Sequence, residues 1–450
     1  MNTPIFDFVK GYSLSDAARF HMPGHKGRSF LGCEKMDITE ICGADVLYHP
    51  DGIIAESENN ASLLFDSHHT FYSAEGSTPA IKVMLALAAM DCNNEQPLIL
   101  AARNSHKAFV HACALLDISA EWIIPEDRSH LCACDITSEE LESSIDRCSK
   151  KPCAVYVTSP DYMGNILDIS SLSKVCHAHG IPLLVDNAHG SYLAFTEPSM
   201  HPLALGADLC CDSAHKTLPV LTGGAYLHIS KKAPDKFKDE STVRNTFSLF
   251  TSTSPSYLIL SSLDLCNRYI ADGYREKLKS HIDKLSGIKS MLSAHGYDIL
   301  PSEPLKIVIS CTGYGYRGYE ISDILRDNHI ECEFSDNEYV VFMSTPENSQ
   351  EDLDGLCKAL STIQRKAPIE IKNPLALTVQ PAVAISIRKA ILSLRETVPV
   401  EQAVGRICAT PTVSCPPAVP IVVSGEVITN EHVKLFMHYG IDKVEVCTVK

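Results

Sequence analysis

The sequence predicts an α/β protein built on a mostly parallel sheet, followed by a smaller α+β domain and a C-terminal region. Three observations carry this expectation. Short apolar runs alternate with helical patterns from residue 98 to residue 229, the rhythm of parallel strands joined by crossover helices. Residues 301–360 repeat strand, helix and strand on a smaller scale. A linker-like run at 366–374 then precedes a last stretch of about 80 residues rich in Val, Pro and Ala. The expected division is residues 1–285 for the N-terminal segment and large domain, 286–367 for the small domain and 368–450 for the C-terminal domain.

The first seventy residues are short on periodicity. Pro23, Gly24 and Gly27 break residues 21–27 into a loop, so His21 and His25 cannot share a helix face as a metal pair would. From Thr70 the chain changes character. Residues 70–73 are a short strand candidate, and Glu75-Gly76-Ser77-Thr78-Pro79 opens an apolar helix that runs through Met90. Proline near a first turn, with hydroxyls and spare amides around it, makes a helix start that binds phosphate. Ser and Thr also cap most helices, so this motif alone leaves both readings open.

Strands are expected at 98–101, 122–124 and 154–158, with helices near 105–116, 138–148 and 170–179. A lysine-rich segment, 231–238, reads as a solvated face, and a long helical pattern runs from Pro255 towards His281. In the small domain, strands are expected at 305–310 and 339–343, with a helix at 319–328 between them.

Composition narrows the function. With 450 residues, 45% hydrophobic and 21% charged, the chain is an ordinary globular protein large enough for two or three domains. A net charge of −16 without a basic run argues against nucleic acid as a partner. The apolar stretch 83–90 is far short of a bilayer span, and the N-terminus lacks the layout of a signal peptide, so a cytoplasmic protein is expected. Eighteen cysteines are scattered without framework spacing and read as reduced, structural residues rather than a metal site. Cys176-His177-Ala178-His179 lies on an expected helix whose successive side chains diverge.

The chemistry gathers in residues 155–229. The run 180–185 reads as a buried strand ending at Asp186-Asn187-Ala188-His189-Gly190. The run 206–211 reads as another, leading into Asp212-Ser213-Ala214-His215-Lys216-Thr217, and a third apolar run follows Gly223-Gly224. Ligand-binding groups collect beyond the carboxyl ends of such strands. A desolvated lysine there favours the neutral, nucleophilic amine of Schiff-base chemistry. A strand-end carboxylate can keep a pyridinium nitrogen protonated, as pyridoxal phosphate requires. Singly, Asp186 reads equally well as a helix cap and Lys216 as a loop residue; in this order and together they point to the cofactor.

Several blocks carry a family resemblance. His21-Met22-Pro23-Gly24-His25-Lys26-Gly27, Arg103-Asn104-Ser105-His106-Lys107, Val185-Asp186-Asn187-Ala188-His189-Gly190 and Ser213-Ala214-His215-Lys216-Thr217 resemble the signature blocks of the Orn/Lys/Arg decarboxylases. The likeness continues through Thr251-Ser252-Thr253-Ser254-Pro255-Ser256-Tyr257 and Arg395-Glu396-Thr397-Val398-Pro399, in the family's order over nearly the whole chain. It is closest to the short members, which lack an N-terminal wing domain. The resemblance implies a pyridoxal-phosphate enzyme of the aspartate-aminotransferase fold (fold type I). It assigns Lys216 to the Schiff base and Asp186 to the ring nitrogen. His106 would stack on the ring, with His189 near it and His215 beside the lysine. The phosphate would lie against Gly76, Ser77, Thr78 and Ser213, assisted by His215. His25 and Lys26 would line the mouth of the site. Ser252 and Thr253 would face the cofactor of a neighbouring subunit, which implies a homodimer with shared sites or a higher oligomer. No metal is implied.

The implied reaction is decarboxylation of a basic amino acid to an amine and CO2, with arginine favoured over lysine or ornithine through polyamine synthesis. Glu331 and Glu333 are candidate partners for the cationic side chain. Departures from the family pattern bear on that pocket. Ser414-Cys415-Pro416-Pro417-Ala418-Val419-Pro420 stands where Tyr-Pro-Pro-Gly-Ile-Pro is usual, residues 384–388 lack a usual proline, and Asn187 replaces a common glutamate. Two rival readings stand beside this one. A transaminase or lyase on the same fold should show an arginine clamp for the α-carboxylate, and none is identifiable. An idle regulatory member would have no chemical need for both Lys216 and Asp186.

Overall fold

Short, mostly apolar segments of four or five residues form the strands of the large sheet, and most of these are buried at every position, as a helix-covered sheet requires. The computed structural model describes residues 1–90, 92, 96–125, 130–370, 381–411 and 418–448. It divides into two units, residues 1–91 with 169–277 and residues 92–168 with 278–450.

The first unit holds β1 (His69–Ser73), β5 (Leu183–Asp186), β6 (Leu209–Asp212) and β7 (Ala225–Ile229), in the order β1-β7-β6-β5. β5 and β6 run parallel, with Val185 opposite Cys210 and Asp186 opposite Cys211. β7 is antiparallel to both β1 and β6. The helix Ser77–Ala89 packs on β1, β6 and β7 and is apolar almost all round, so most of it is buried. The helix Pro4–Ser13, absent from the sequence reading, has Pro4 at its first turn and buries Ile5 and Val9 on one face. It packs against the helices Ile53–Leu64 and Tyr257–Ala271.

The second unit holds the parallel set β4 (Ala154–Thr158), β2 (Leu98–Ala102) and β3 (Ser119–Ile123), in that order. A four-stranded antiparallel sheet follows, β10 (Phe334–Ser335), β11 (Tyr339–Met343), β9 (Lys306–Ser310) and β8 (Asp298–Leu300) in spatial order. The last pair is β12 (Arg395–Pro399) with β13 (Lys443–Cys447). The expected mostly parallel α/β sheet and the smaller α+β part are therefore both present. One expectation needs correction. The helical pattern from Pro255 is two helices, Tyr257–Ala271 and Tyr274–His295, because Gly273 adopts a φ of +84° that ends the first. Among the described residues no helix is long and apolar enough to cross a membrane.

Within the second unit, a buried arginine organises the C-terminal segment. The Arg103 guanidinium donates to the carbonyls of Pro420 and Ile421, each at 3.0 Å, and to Glu426 Oε2 at 3.1 Å. Both ionic partners are nearly inaccessible, so removing either would strand a buried charge. Arg103 thus holds residues 420–426 beside the turn that carries His106. Ala418 starts this segment, is buried, and has a φ of +58°. An L-residue there costs about 1–2 kcal/mol that glycine avoids. Ala418 therefore holds, with strain, a left-handed conformation that glycine adopts freely. Cys415 and the rest of 412–417 lie outside the described residues. Ala418→Gly should raise stability by about 0.5–1 kcal/mol, the relief of strain exceeding the added flexibility of the unfolded chain. The denaturant midpoint measures it, and a lower midpoint would contradict the strain.

Candidate active site

The first unit brings the predicted residues together because β5 and β6 are neighbours and run the same way. Their carboxyl ends therefore lie side by side, at Asp186 and Asp212. Asp186 is 2% exposed, and its Oδ1 accepts from the Ala188 amide at 3.2 Å and from the Cys211 thiol at 3.6 Å. Beyond it the chain turns through Asn187 to His189, which is also buried. Beyond Asp212, Ser213 leads into the short helix Ala214–Thr217 that carries His215 and Lys216. The two turns come together, with Lys216 Nζ 2.9 Å from His189 Nε2.

His215 is held by its neighbours in one state. Its Nδ1 lies 2.9 Å from the Gly224 carbonyl, which only accepts, so Nδ1 carries the proton. Burial lowers its pKa, the Gly224 hydrogen bond opposes that shift, and the Lys216 charge adds to it. A neutral imidazole follows, with Nε2 as an acceptor.

The helix Ser77–Ala89 contributes its N-terminus. Its first amides have no acceptor within the helix, and Gly76 supplies no side-chain cap. Gly76 has a φ of +76°, and nothing lies within 4 Å of the place a Cβ would occupy. The Ser213 hydroxyl donates to Ser77 Oγ at 2.9 Å, which ties this helix start to the end of β6. Thr78 is half-buried in the same first turn. Ser252 and Thr253 are exposed, and the Ser252 amide donates to Glu75 Oε1 at 2.7 Å, one residue before Gly76.

The remaining candidates sit within their own units. His106 is in the second unit, at the N-cap of the helix Lys107–Leu116, where its Nδ1 accepts from the Ala108 amide at 3.1 Å. Glu331 and Glu333 are exposed in that unit. Glu331 pairs with Arg326 at 3.2 Å, and Glu333 accepts from the Tyr162 hydroxyl at 2.8 Å. His25 pairs with Asp37 at 3.1 Å in a loop of the first unit, and Lys26 donates to the His21 carbonyl at 2.6 Å.

Sequence reasoning missed a buried polar group behind the site. Asp212, fully buried, accepts on Oδ2 from His201 Nε2 and His228 Nε2, each at 3.2 Å. Its Oδ1 accepts from Asn187 Nδ2 at 2.7 Å and from the Cys210 thiol at 3.5 Å. Burial alone would raise the Asp212 carboxyl, but the two imidazoles outweigh it and hold it well below the usual carboxylate range. His201, Cys210 and Asp212 also have the mutual spacing of a metal site. The hydrogen bonds argue against that use. His201 Nδ1 accepts from the Leu203 amide, so Nε2 carries the proton and faces Asp212 as a donor rather than as a ligand lone pair. One signal was available in the sequence: His228 interrupts the apolar run of β7 with a polar side chain.

Comparisons with known proteins place the chain in a family. The major-domain model of the Orn/Lys/Arg decarboxylases matches residues 3–307, and the model of their C-terminal domain matches residues 371–440. An arginine decarboxylase of Halalkalibacterium halodurans is 30% identical over 96% of this chain and 92% of its own length. One of Bacillus subtilis is likewise 30% identical, over 96% and 92%. Among solved structures, the E. coli constitutive lysine decarboxylase superposes with a TM-score of 0.80 at 17% identity, covering 99% of this chain and 82% of that one. That likeness shows the fold, an aspartate-aminotransferase-like α/β domain with smaller domains after it. The chain belongs to the Orn/Lys/Arg decarboxylase family.

Proposed function

We propose that this protein decarboxylates L-arginine with pyridoxal phosphate held at the ends of β5 and β6. The observation that carries the proposal is the 2.9 Å contact between Lys216 and His189 beside the buried carboxylate of Asp186. The residues present fit the cofactor at each of its three handles. A phosphate suits the amides and hydroxyls at Gly76, Ser77, Thr78 and Ser213, where Gly76 leaves open space and the helix end favours negative charge. A pyridine nitrogen suits Asp186, and an aldehyde suits the amine of Lys216. Bound there, the cofactor would supply the electron sink for the pair left on Cα when the carboxylate departs as CO2.

The chain's own groups then divide the work. Asp186, buried at the end of β5, would hold a proton on the ring nitrogen. His189 Nε2 sits within reach of the Lys216 ammonium and accepts its proton, which leaves the amine nucleophilic. His215, with Nδ1 held by the Gly224 carbonyl, keeps its ring fixed beside Lys216. Lys216 or His189 would supply the proton needed at the substrate Cα. The ring-stacking role of His106 rests on the family resemblance alone, as does the pairing of Ser252 and Thr253 with a second subunit's site in a homodimer.

Arginine as the substrate is supported by the names of the two bacterial relatives that match most of this chain. A role in polyamine synthesis and a cytoplasmic location are part of the same reading. So is the division into domains at 1–285, 286–367 and 368–450.

The direct test is CO2 release from the cofactor-loaded protein offered arginine, lysine, ornithine and diaminopimelate separately. Release from arginine is expected; release from lysine or ornithine alone would overturn the arginine assignment, and release from none would overturn the reaction. Asp186→Asn should keep the cofactor but lose about 100-fold or more in turnover, because an amide cannot hold the ring-nitrogen proton. Turnover within a few fold of wild type would remove that role. Lys216→Ala should abolish the visible absorbance of the lysine-bound cofactor; an unchanged spectrum would move the linkage to another lysine.

A further inference from the structure

We propose that Asn187 and Asp212 are positioning residues for the candidate site. The buried hydrogen bond between their side chains ties the two strand ends together and so sets the placement of Asp186, His189 and Lys216. This rests on the cofactor reading above and adds residues that the family resemblance does not assign.

The argument starts from the sheet. The backbone pairing of β5 with β6 ends as the Asn187 amide donates to the Cys211 carbonyl at 2.9 Å. One chain then turns towards His189 and the other towards Lys216. At that divergence the Asn187 Nδ2–Asp212 Oδ1 bond of 2.7 Å bridges the two chains once more, side chain to side chain. Both residues are 0% exposed, so water does not compete for the bond.

The identity of each residue follows from its neighbours. Asp212 faces four donors, namely the Asn187 amide, the Cys210 thiol and the Nε2–H groups of His201 and His228. Only a carboxylate accepts from all four; an asparagine would set an NH2 group against at least one of them. The imidazoles are themselves anchored. His201 accepts from the Leu203 amide at 3.3 Å, and His228 Nδ1 bonds the Thr70 hydroxyl at 2.8 Å. The carboxylate is therefore a fixed point, and it orients the Asn187 amide by accepting its NH2.

Gly190 completes the device. A Cβ there would lie 2.0 Å from Asn187 Oδ1 and 2.8 Å from Leu193 Cδ1, so the side chain of Asn187 occupies the space that glycine leaves. Asn187 Oδ1 is buried with no hydrogen-bond donor. An unsatisfied buried acceptor is costly and is retained where its partner atom is needed elsewhere. Here that partner atom is Nδ2.

The test uses cofactor capture rather than turnover. Cofactor-free wild type, Asn187→Ala and Asp212→Asn are each mixed with pyridoxal phosphate, and the visible absorbance of the lysine-bound form is followed in time. Circular dichroism melts run in parallel. The proposal expects Asn187→Ala to melt cooperatively, with the His201–Asp212–His228 group intact, yet to capture the cofactor at least ten-fold more slowly than wild type. Asp212→Asn is expected to be slower as well and less stable. Capture by folded Asn187→Ala at the wild-type rate would overturn the positioning role, even if Asp212→Asn fails to fold. A wild-type protein that develops no absorbance would overturn the cofactor reading, and this proposal with it.

Discussion

The parallel pairing of β5 with β6 is the constraint on which the site depends. Two strands that run the same way and end together must deliver their following residues to one place. Here those residues are Asp186 to His189 on one side and Ser213 to Lys216 on the other. An antiparallel pair would have sent them to opposite edges. The apolar residues Leu183, Leu184, Val185, Leu209, Cys210 and Cys211 are all fully buried, so the register that aligns the two ends is fixed by the core. The site inherits its rigidity from there.

Charge in this corner is arranged rather than merely present. Asp212 is anionic but turned inward, spent on four donors. Asp186, one strand over, accepts from a backbone amide and from a thiol, which is a weak donor. The two buried acids end neighbouring strands and have different surroundings. Asp186 is the one we propose for the cofactor, and Asp212 the one we propose as the frame.

Much of the major sheet was legible because its strands are buried on both faces and interrupted by Gly, Pro and polar turns. β4, β7 and β11 fall on the expected residues, and the helix from Ser77 begins within two residues of its predicted start. Lys216 and Asp186 stood out because a charge directly after an apolar strand has few structural reasons to be there. What escaped was non-local. The Asp212 group joins residues up to 158 positions apart, from Thr70 to His228, and no spacing rule connects them. Pro4–Ser13 was missed because its buried face holds only Ile5 and Val9. The long helix near 272 was overrun because hydrophobic periodicity resumes after Gly273, whose backbone conformation cannot be read from a pattern of side chains. The departures at Asn187 and Ala418 were visible as letters, but their meaning was not. One is a tether to a buried carboxylate, and the other is an alanine in a left-handed turn.

The central claim is that Lys216 is the residue that takes the cofactor. The measurement that tests it most directly is borohydride reduction of the pyridoxal-phosphate-loaded protein, followed by proteolysis and mass determination of the modified peptide. The account predicts one stable phosphopyridoxyl adduct, on Lys216, in the peptide that also carries His215. An adduct on a different lysine, or none on a protein that retains its visible absorbance, would contradict it.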